Sequence, residues 1–300
     1  MKDNNPIGRQ SRPCAGVVLY KPDAKLLKAL GCALAGRRLF AFANGPMNHE
    51  ILAAFAGADL RLIESPTNVG LGMGLNAIAQ AAFEDGFSHI MLLDQDSAPS
   101  LDLLDQLTAR SLALERQENV ALIAPLLIPP SEGFYKPIRY QRRSLERADG
   151  LVSLDFAPTS GSLVNRQAYE TIGPFRDDFF IAGIDVEWGF RAWNLGWSTY
   201  LVPRLEMPHR WGEDVRPEEI AKPQILRQTN VRNYYYVRNV VATAQLAHVP
   251  WRWRVKSAAA LAAQLGLLAI RGDKGATRPA WTGLIDGLRG RLGPAPLGIS

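Results

Sequence analysis

Cysteine is almost missing from this chain: Cys14 and Cys32 are the only two in 300 residues. That is too few for a disulfide framework, and neither belongs to a metal-ligand pattern. Both fall in apolar or helical settings, which predicts a reducing compartment and a structural role. The first twelve residues, Met1 to Arg12, hold no apolar core segment, so no secretory signal is expected there and they read as a flexible lead-in. Acidic residues nearly vanish from the C-terminal quarter. Residues 222–300 carry twelve Lys/Arg against only Asp273 and Asp286, a balance of +10 that leaves residues 1–221 at −5. An acidic body with a basic tail points to an anionic partner for the tail. With 47% hydrophobic residues, the chain can bury a large core, expected as one domain of 200 or more residues plus an appendage.

What is present first is alternation of short apolar runs with amphipathic stretches. Ala15 to Tyr20 reads as a buried strand ending in a turn with Asp23 as helix cap, and Leu26, Leu27, Leu30 and Leu34 line one helical face. Arg38 to Ala43 is a second strand, His49 to Ala56 a helix, and Leu60 to Ile63 a third, short strand. Strands alternating with helices at this spacing predict βαβ units and a Rossmann-like, mostly parallel sheet. The loop Ser65 to Asn76 follows. Its Gly70, Gly72 and Gly74 suit close approach of backbone to a ligand at the start of the helix Leu75 to Phe83. The spacing is not G-x-G-x-x-G, so no dinucleotide site is expected.

His89 to Ser97, HIMLLDQDS, is the most heavily loaded stretch: four apolar residues of a buried strand, then Asp94 and Asp96. At the C-terminal end of a central parallel strand the pair would face the ligand crevice and offer hard oxygens to Mg²⁺ or Mn²⁺ on a diphosphate. The alternative is a turn in which either acid caps the helix beginning near Ser100. Pro129 to Gly150 reads as an irregular excursion, and Leu151 to Phe156 as a strand. Asp185 lies near the start of a helix running to Leu195. Helix electrostatics with a Glu187–Arg191 pair account for that segment, and so does Asp185 as a general base in a cleft. His209 stands alone after a strand expected over Thr199 to Val202.

Taken together, Asn68-x-Gly70 with Asn76, Leu92-Leu93-Asp94-Gln95-Asp96-Ser97, Gly161-Ser162-Leu163-Val164, Asp185-x-Glu187-Trp188-x-x-Arg191-Ala192 and His209-x-x-Gly212 resemble family 2 glycosyltransferases of the GT-A fold. The Asp-Gln-Asp-Ser form and the later Asn233 to Asn239 run look most like bacterial rhamnosyltransferases that build O-antigen and related polysaccharides. The resemblance covers about residues 15–245. It implies an α/β GT-A catalytic domain over 13–215, with a nucleotide-sugar half (13–97) and an acceptor half (98–215), and a basic helical tail over 216–300. It implies inverting transfer from a nucleotide sugar with Mg²⁺ or Mn²⁺. Asp96 and His209 would hold the metal, and Asp185 would deprotonate the acceptor hydroxyl. Tyr20, Asn44, Asn68, Gly70, Asn76 and Asp94 would line the donor, while Glu187, Trp188 and Arg191 would hold the acceptor. The expected donor is dTDP-rhamnose and the expected acceptor a lipid-linked saccharide. Departures occur where the family usually carries Asp at Ala43, Asn at Lys21 and, in the rhamnosyltransferase subset, Asp at Ala182. They keep a UDP-sugar such as UDP-galactofuranose, or a catalytically reduced relative, in view.

In the tail, 218–247 reads as helical, Trp251 and Trp253 alternate with cations, and the apolar stretch Ala258 to Ile270 is thirteen residues long. A bilayer span takes roughly 20. This pattern suits a segment lying on an anionic membrane, which the family resemblance implies is the cytoplasmic face of the inner membrane; a packed appendage or a homo-oligomer surface is the alternative. Nucleic acid is not expected, because the aromatics flank an apolar helix and not a polar basic groove.

Overall fold

In the computed structural model, residues 12–130, 140, 142–146, 149–210, 229–271 and 274–299 are described. Most of the lead-in, Gly212 of the last motif and the segment 211–228 lie outside them. The first half follows the expected order. Strands β1 (Pro13–Leu19), β2 (Arg38–Asn44), β3 (Asp59–Ser65) and β4 (His89–Asp94) alternate with α1 (Ala24–Ala33), a 3-10 helix (His49–Phe55) and α2 (Leu71–Glu84). These strands pair in parallel in the order β3-β2-β1-β4. The Asp23 carboxylate accepts from the Lys25 and Leu26 N–H groups and so starts α1 as the cap read from the sequence.

The second half comprises α3 (Leu103–Glu115), β5 (Val120–Ile128), β6 (Arg142–Glu146), β7 (Val152–Leu154), β8 (Leu163–Asn165), α4 (Arg166–Ile172), α5 (Ile184–Asn194) and β9 (Ser198–Pro208). It extends the sheet to nine strands in the order β3-β2-β1-β4-β8-β5-β9-β7-β6. Short β8 runs antiparallel to both β4 and β5, whereas β5 and β9 are parallel. Two expectations change here. The stretch 129–150 contains β6, which pairs antiparallel with β7, so it is not wholly irregular. Strand β9 runs through to Pro208, well past Val202. A register shift beyond Pro125 moves its partners from Val202 to Glu206, and the extension carries the chain to the sheet edge where β4 ends.

Apolar side chains fill both faces. Leu75, Ile78, Phe83, Phe175 and Trp188 build one layer; Leu27, Leu30, Leu104, Leu107 and Tyr200 build the other. The burial of both faces is why β1, β2 and β4 read as continuous apolar runs and not as alternation. In the tail, α6 (Asn230–Ala244), α7 (Trp251–Arg271) and α8 (Lys274–Leu288) pack around Val237, Leu261, Leu265 and Leu268. Among the described residues, no helix is long and apolar enough to cross a membrane.

Candidate active site

The crevice at the end of β4 brings Asp94, Asp96 and His209 together, with one ligand atom from each lying within 4.8 Å of the others. Local chemistry builds it. The Asp94 N–H donates to Ser97 Oγ at 3.0 Å and the Ser97 N–H donates back to the Asp94 carbonyl at 3.0 Å. This tight turn holds Asp96 beside Asp94. The helix-cap alternative does not hold, because α3 starts after Asp102 and neither acid caps it. His209 follows β9, its N–H bonded to the Ile128 carbonyl at 2.9 Å. Its Nδ1 meets Ser160 Oγ at 3.3 Å, and Ser160 Oγ meets Ser97 Oγ at 2.9 Å. That chain leaves Nε2 turned toward Asp94, 3.7 Å from Oδ2. A hydrogen bond to the other ring nitrogen sets the orientation of a metal-binding imidazole.

Burial raises the Asp94 carboxyl above its usual value. His209 opposes the rise, Asp96 adds to it, and Arg232 and a Ser160 hydrogen bond oppose it again. Two hard carboxylates and an imidazole at this separation fit Mg²⁺ or Mn²⁺, whose charge would relieve the Asp94–Asp96 repulsion. Arg232, in the first turn of α6, is a cation at this site that sequence reasoning missed. It lies beyond the motifs and across the segment 211–228.

Asp185 sits in the first turn of α5, behind Gly183 in left-handed backbone (φ 75°). Burial pushes its carboxyl up to about 6; N–H groups of Val186 and Asp185 pull the other way, and the nearby Asp94 charge adds to the rise. A carboxyl poised there can change protonation near neutral pH, as a general base must.

The loop that delivers Asp185 is strained and tied down. Phe180 (φ 64°) and Ala182 (φ 68°) adopt left-handed backbone without being glycine, at a cost of about 1–2 kcal/mol each. The ties come from α6. The Asn239 side-chain amide donates to the carbonyls of Phe179, Ile181 and Ala182 at 2.9, 2.8 and 2.8 Å. Fully buried Arg238 donates to the carbonyls of Phe179 (2.9 Å), Asp178 (3.3 Å) and Gly293 (2.6 Å), and to Asn239 Oδ1 (2.9 Å). Tyr235 stacks on Phe180 with ring centroids 5.0 Å apart. The sequence signal was Arg238-Asn239 on an otherwise aromatic and aliphatic helix face.

Several motif residues turn out to be committed inside the protein. Asn76 Oδ1 accepts from the Phe175 N–H (2.8 Å) and from the Tyr169 hydroxyl (2.9 Å), and Nδ2 donates to the Phe175 carbonyl (2.9 Å), which ties α2 to α4 and the segment after it. That leaves its amide spent on the fold and not offered to a donor. Asn44, 4% exposed, accepts from the Val69 N–H and donates to the Gly70 carbonyl; Asn68 accepts from the Gly70 N–H. Both shape the glycine loop. Gly70 itself faces protein: a Cβ there would sit 2.7 Å from the Phe180 carbonyl oxygen, and one at Gly72 2.5 Å from that of Arg176. The glycines thus let the 176–180 backbone close onto α2, a correction to the ligand-approach reading. Tyr20 is exposed, its N–H bonded to Gln95 Oε1 at 3.0 Å.

The acceptor set needs the same correction. Glu187 and Trp188 are each 1% exposed. Glu187 pairs with Arg191 at 2.9 Å and with His248 at 3.1 Å. Trp188 Nε1 donates to the Gly173 carbonyl, and Arg191 also donates to the carbonyls of Ile172 and Pro174. These three brace α5 against the segment that precedes it, and the helix-electrostatics reading describes them.

No family profile matches the chain. It is 26% identical over 245 residues to the dTDP-rhamnosyl transferase RfbF of Shigella flexneri, covering 79% of this chain and 81% of that one. Among solved structures, S. aureus TarS 1-349 in complex with UDP-GlcNAc superposes with a TM-score of 0.55 at 11% identity, covering 93% of this chain and 81% of that one. GalNAc-T7 with UDP, GalNAc and Mn²⁺ superposes with a TM-score of 0.52 at 14% identity, covering 82% of this chain. The chain spans 54% of the length of GalNAc-T7. At these identities the structural likeness speaks for the fold.

Proposed function

We propose that this chain, rhamnosyltransferase-like and of the GT-A glycosyltransferase fold, moves L-rhamnose from dTDP-rhamnose to a saccharide acceptor with inversion at the anomeric carbon. The observation that carries the reading is the convergence on one crevice of the Asp94, Asp96 and His209 cluster with Asp185, whose carboxyl is pushed up to about 6. The named activity of the Shigella flexneri relative supports the choice of donor.

In this reading Asp94, Asp96 and His209 hold the divalent cation, which when bound neutralises charge on the departing diphosphate. Asp185 accepts the proton of the acceptor hydroxyl as that oxygen attacks the anomeric carbon from the face opposite the leaving group. Arg232 supplies a second positive charge on the diphosphate side. Tyr20 lines the approach to the donor, and Asn44, Asn68 and Gly70 fix the shape of the loop before α2. Catalysis belongs to residues 13–215 together with the α6 clamp. The tail over 216–300 rests on the anionic cytoplasmic face of the inner membrane, where a lipid-linked acceptor would be met.

The deciding experiment is calorimetric titration with dTDP and with UDP, each with and without Mn²⁺. Metal-dependent binding of dTDP, lost in Asp96→Ala and with chelator, is the expected result. Metal-dependent binding of UDP alone would redirect the donor to a UDP-sugar. Failure of both would favour the catalytically reduced relative that Ala43, Lys21 and Ala182 bring into view.

A further inference from the structure

A second concave site lies at the other end of α5 from the first. A cleft of about 570 Å³ opens between β6 and the start of α7, and its walls include Arg142, Arg143, Asp155, Arg252, Trp253 and Lys256. Four cations thus face one carboxylate. Arg143 lies 3.5 Å from Asp155 and stacks 4.2 Å over the Trp193 ring. Among the described residues, Arg142, Arg252 and Lys256 make no ion pair. Trp193 is near the C-terminal end of α5, an eleven-residue helix whose first turn carries Asp185. The cleft is therefore on the order of 15 Å from the crevice.

Protection of an edge strand by charge accounts for Arg142 and Arg143, since β6 ends the sheet. It does not account for two further cations brought to the same cleft from a helix a hundred residues later. Arg252 also sits where a helix tolerates a cation least. The first turn of α7 contains no acid, and the helix dipole there is already positive. The neighbouring Arg254 is spent on the carbonyls of Leu246, Ala247 and Val249; Arg252 and Lys256 are exposed. An anion in the cleft would relieve this repulsion.

The same helix face says what the anion is attached to. From Ser257 to Ile270 there is no charged residue. Val255 (61% exposed) and Ile270 (86% exposed) lie on the solvent side with a row of alanines between them, while Leu261, Leu265 and Leu268 point inward. Exposed Trp251 stands beside the cleft at the helix start. A charged head site followed by an uncharged, outward apolar face matches an amphiphile and not a free phosphate.

We propose that the cleft between β6 and α7 binds the phosphate headgroup of an anionic lipid. The assignment rests on the reading of the tail as a membrane-surface segment and names the side chains through which it docks. The test is flotation of the full chain with phosphatidylcholine vesicles, with and without phosphatidylglycerol. Wild type should partition onto the anionic vesicles. Arg252→Gln/Lys256→Gln should weaken this at least about tenfold. Arg278→Gln/Arg289→Gln, which removes the same charge from α8 and the residue just after it, should change it less than about twofold. Melting temperature and dTDP binding of both double variants should match wild type. Equal losses in the two variants, or none in the first, would overturn the cleft while leaving the surface reading intact. No partition of wild type would overturn both. Calorimetric binding of glycerol phosphate that is lost in the cleft variant, with vesicle partition unchanged, would assign the cleft to a soluble phosphate and overturn the lipid.

Discussion

Asp185 makes the sharpest claim about a single side chain. Asp185→Asn keeps the shape and removes the proton acceptor, so kcat should fall about 10²–10⁴-fold with dTDP binding unchanged by calorimetry. Because its carboxyl is pushed up to about 6, the group is neutral below that pH and cannot take a proton. A rate profile of kcat/KM from pH 5 to 8 should therefore rise about tenfold per unit on the acid side and level off above about 6. The limb should vanish in Asp185→Asn. Asn239 never meets the reacting atoms, but its amide satisfies three carbonyls of the loop before Asp185. Asn239→Ala should lower kcat by about tenfold or more through misplacement of Asp185, with KM for the donor within about twofold and a lower melting temperature. At these positions the sequence was partly legible. Asp94, Asp96 and His209 could be gathered because a run of motifs carries them. Asn76 and Glu187 were misassigned because a polar side chain in a motif looks the same whether it faces a ligand or, like Asn76, a backbone 99 residues away.

Among the elements, β1 to β4 with their helices were readable from apolar runs and a helix cap. Strand β6, with its sequence Arg142-Arg143-Ser144-Leu145-Glu146, carries no apolar run and owes its existence to pairing with β7. The far end of β9 was hidden for a similar reason: Arg204 and Glu206 face outward, and only the register shift against β5 shows that the strand continues. The glycine loop illustrates a subtler limit, since glycine spacing records that something comes close without recording what. Here it is the chain itself. Gly70→Ala would place a Cβ 2.7 Å from the Phe180 carbonyl oxygen at a φ of 90°. It should cost about 2–5 kcal/mol by denaturant titration. Gly86→Ala, with a φ of 84° but nothing within 4 Å, should cost only about 1–2 kcal/mol. Similar losses at the two positions would mean that the 176–180 segment does not press on α2.

Taking the chain as a unit, the division into a catalytic body and a tail read from charge cuts through the active-site support. Helix α6 belongs to the basic part by composition and to the crevice by contact. A chain ended at residue 228 should keep the β1–β4 half but lose the clamp on 178–182. Its glycosyl transfer should be undetectable, and proteolysis near Phe180 should be faster than in the full chain. Unchanged activity of that truncation would show that the loop holds its left-handed residues without α6.

The reach of Arg238 to the Gly293 carbonyl carries a meaning for the timing of synthesis. On the ribosome the N-terminal strands can pair long before the last helices emerge. The loop that aims Asp185 cannot be drawn into place until a residue some hundred positions later has left the exit tunnel. Each growing chain would therefore remain catalytically silent until the segment around Gly293 is in position.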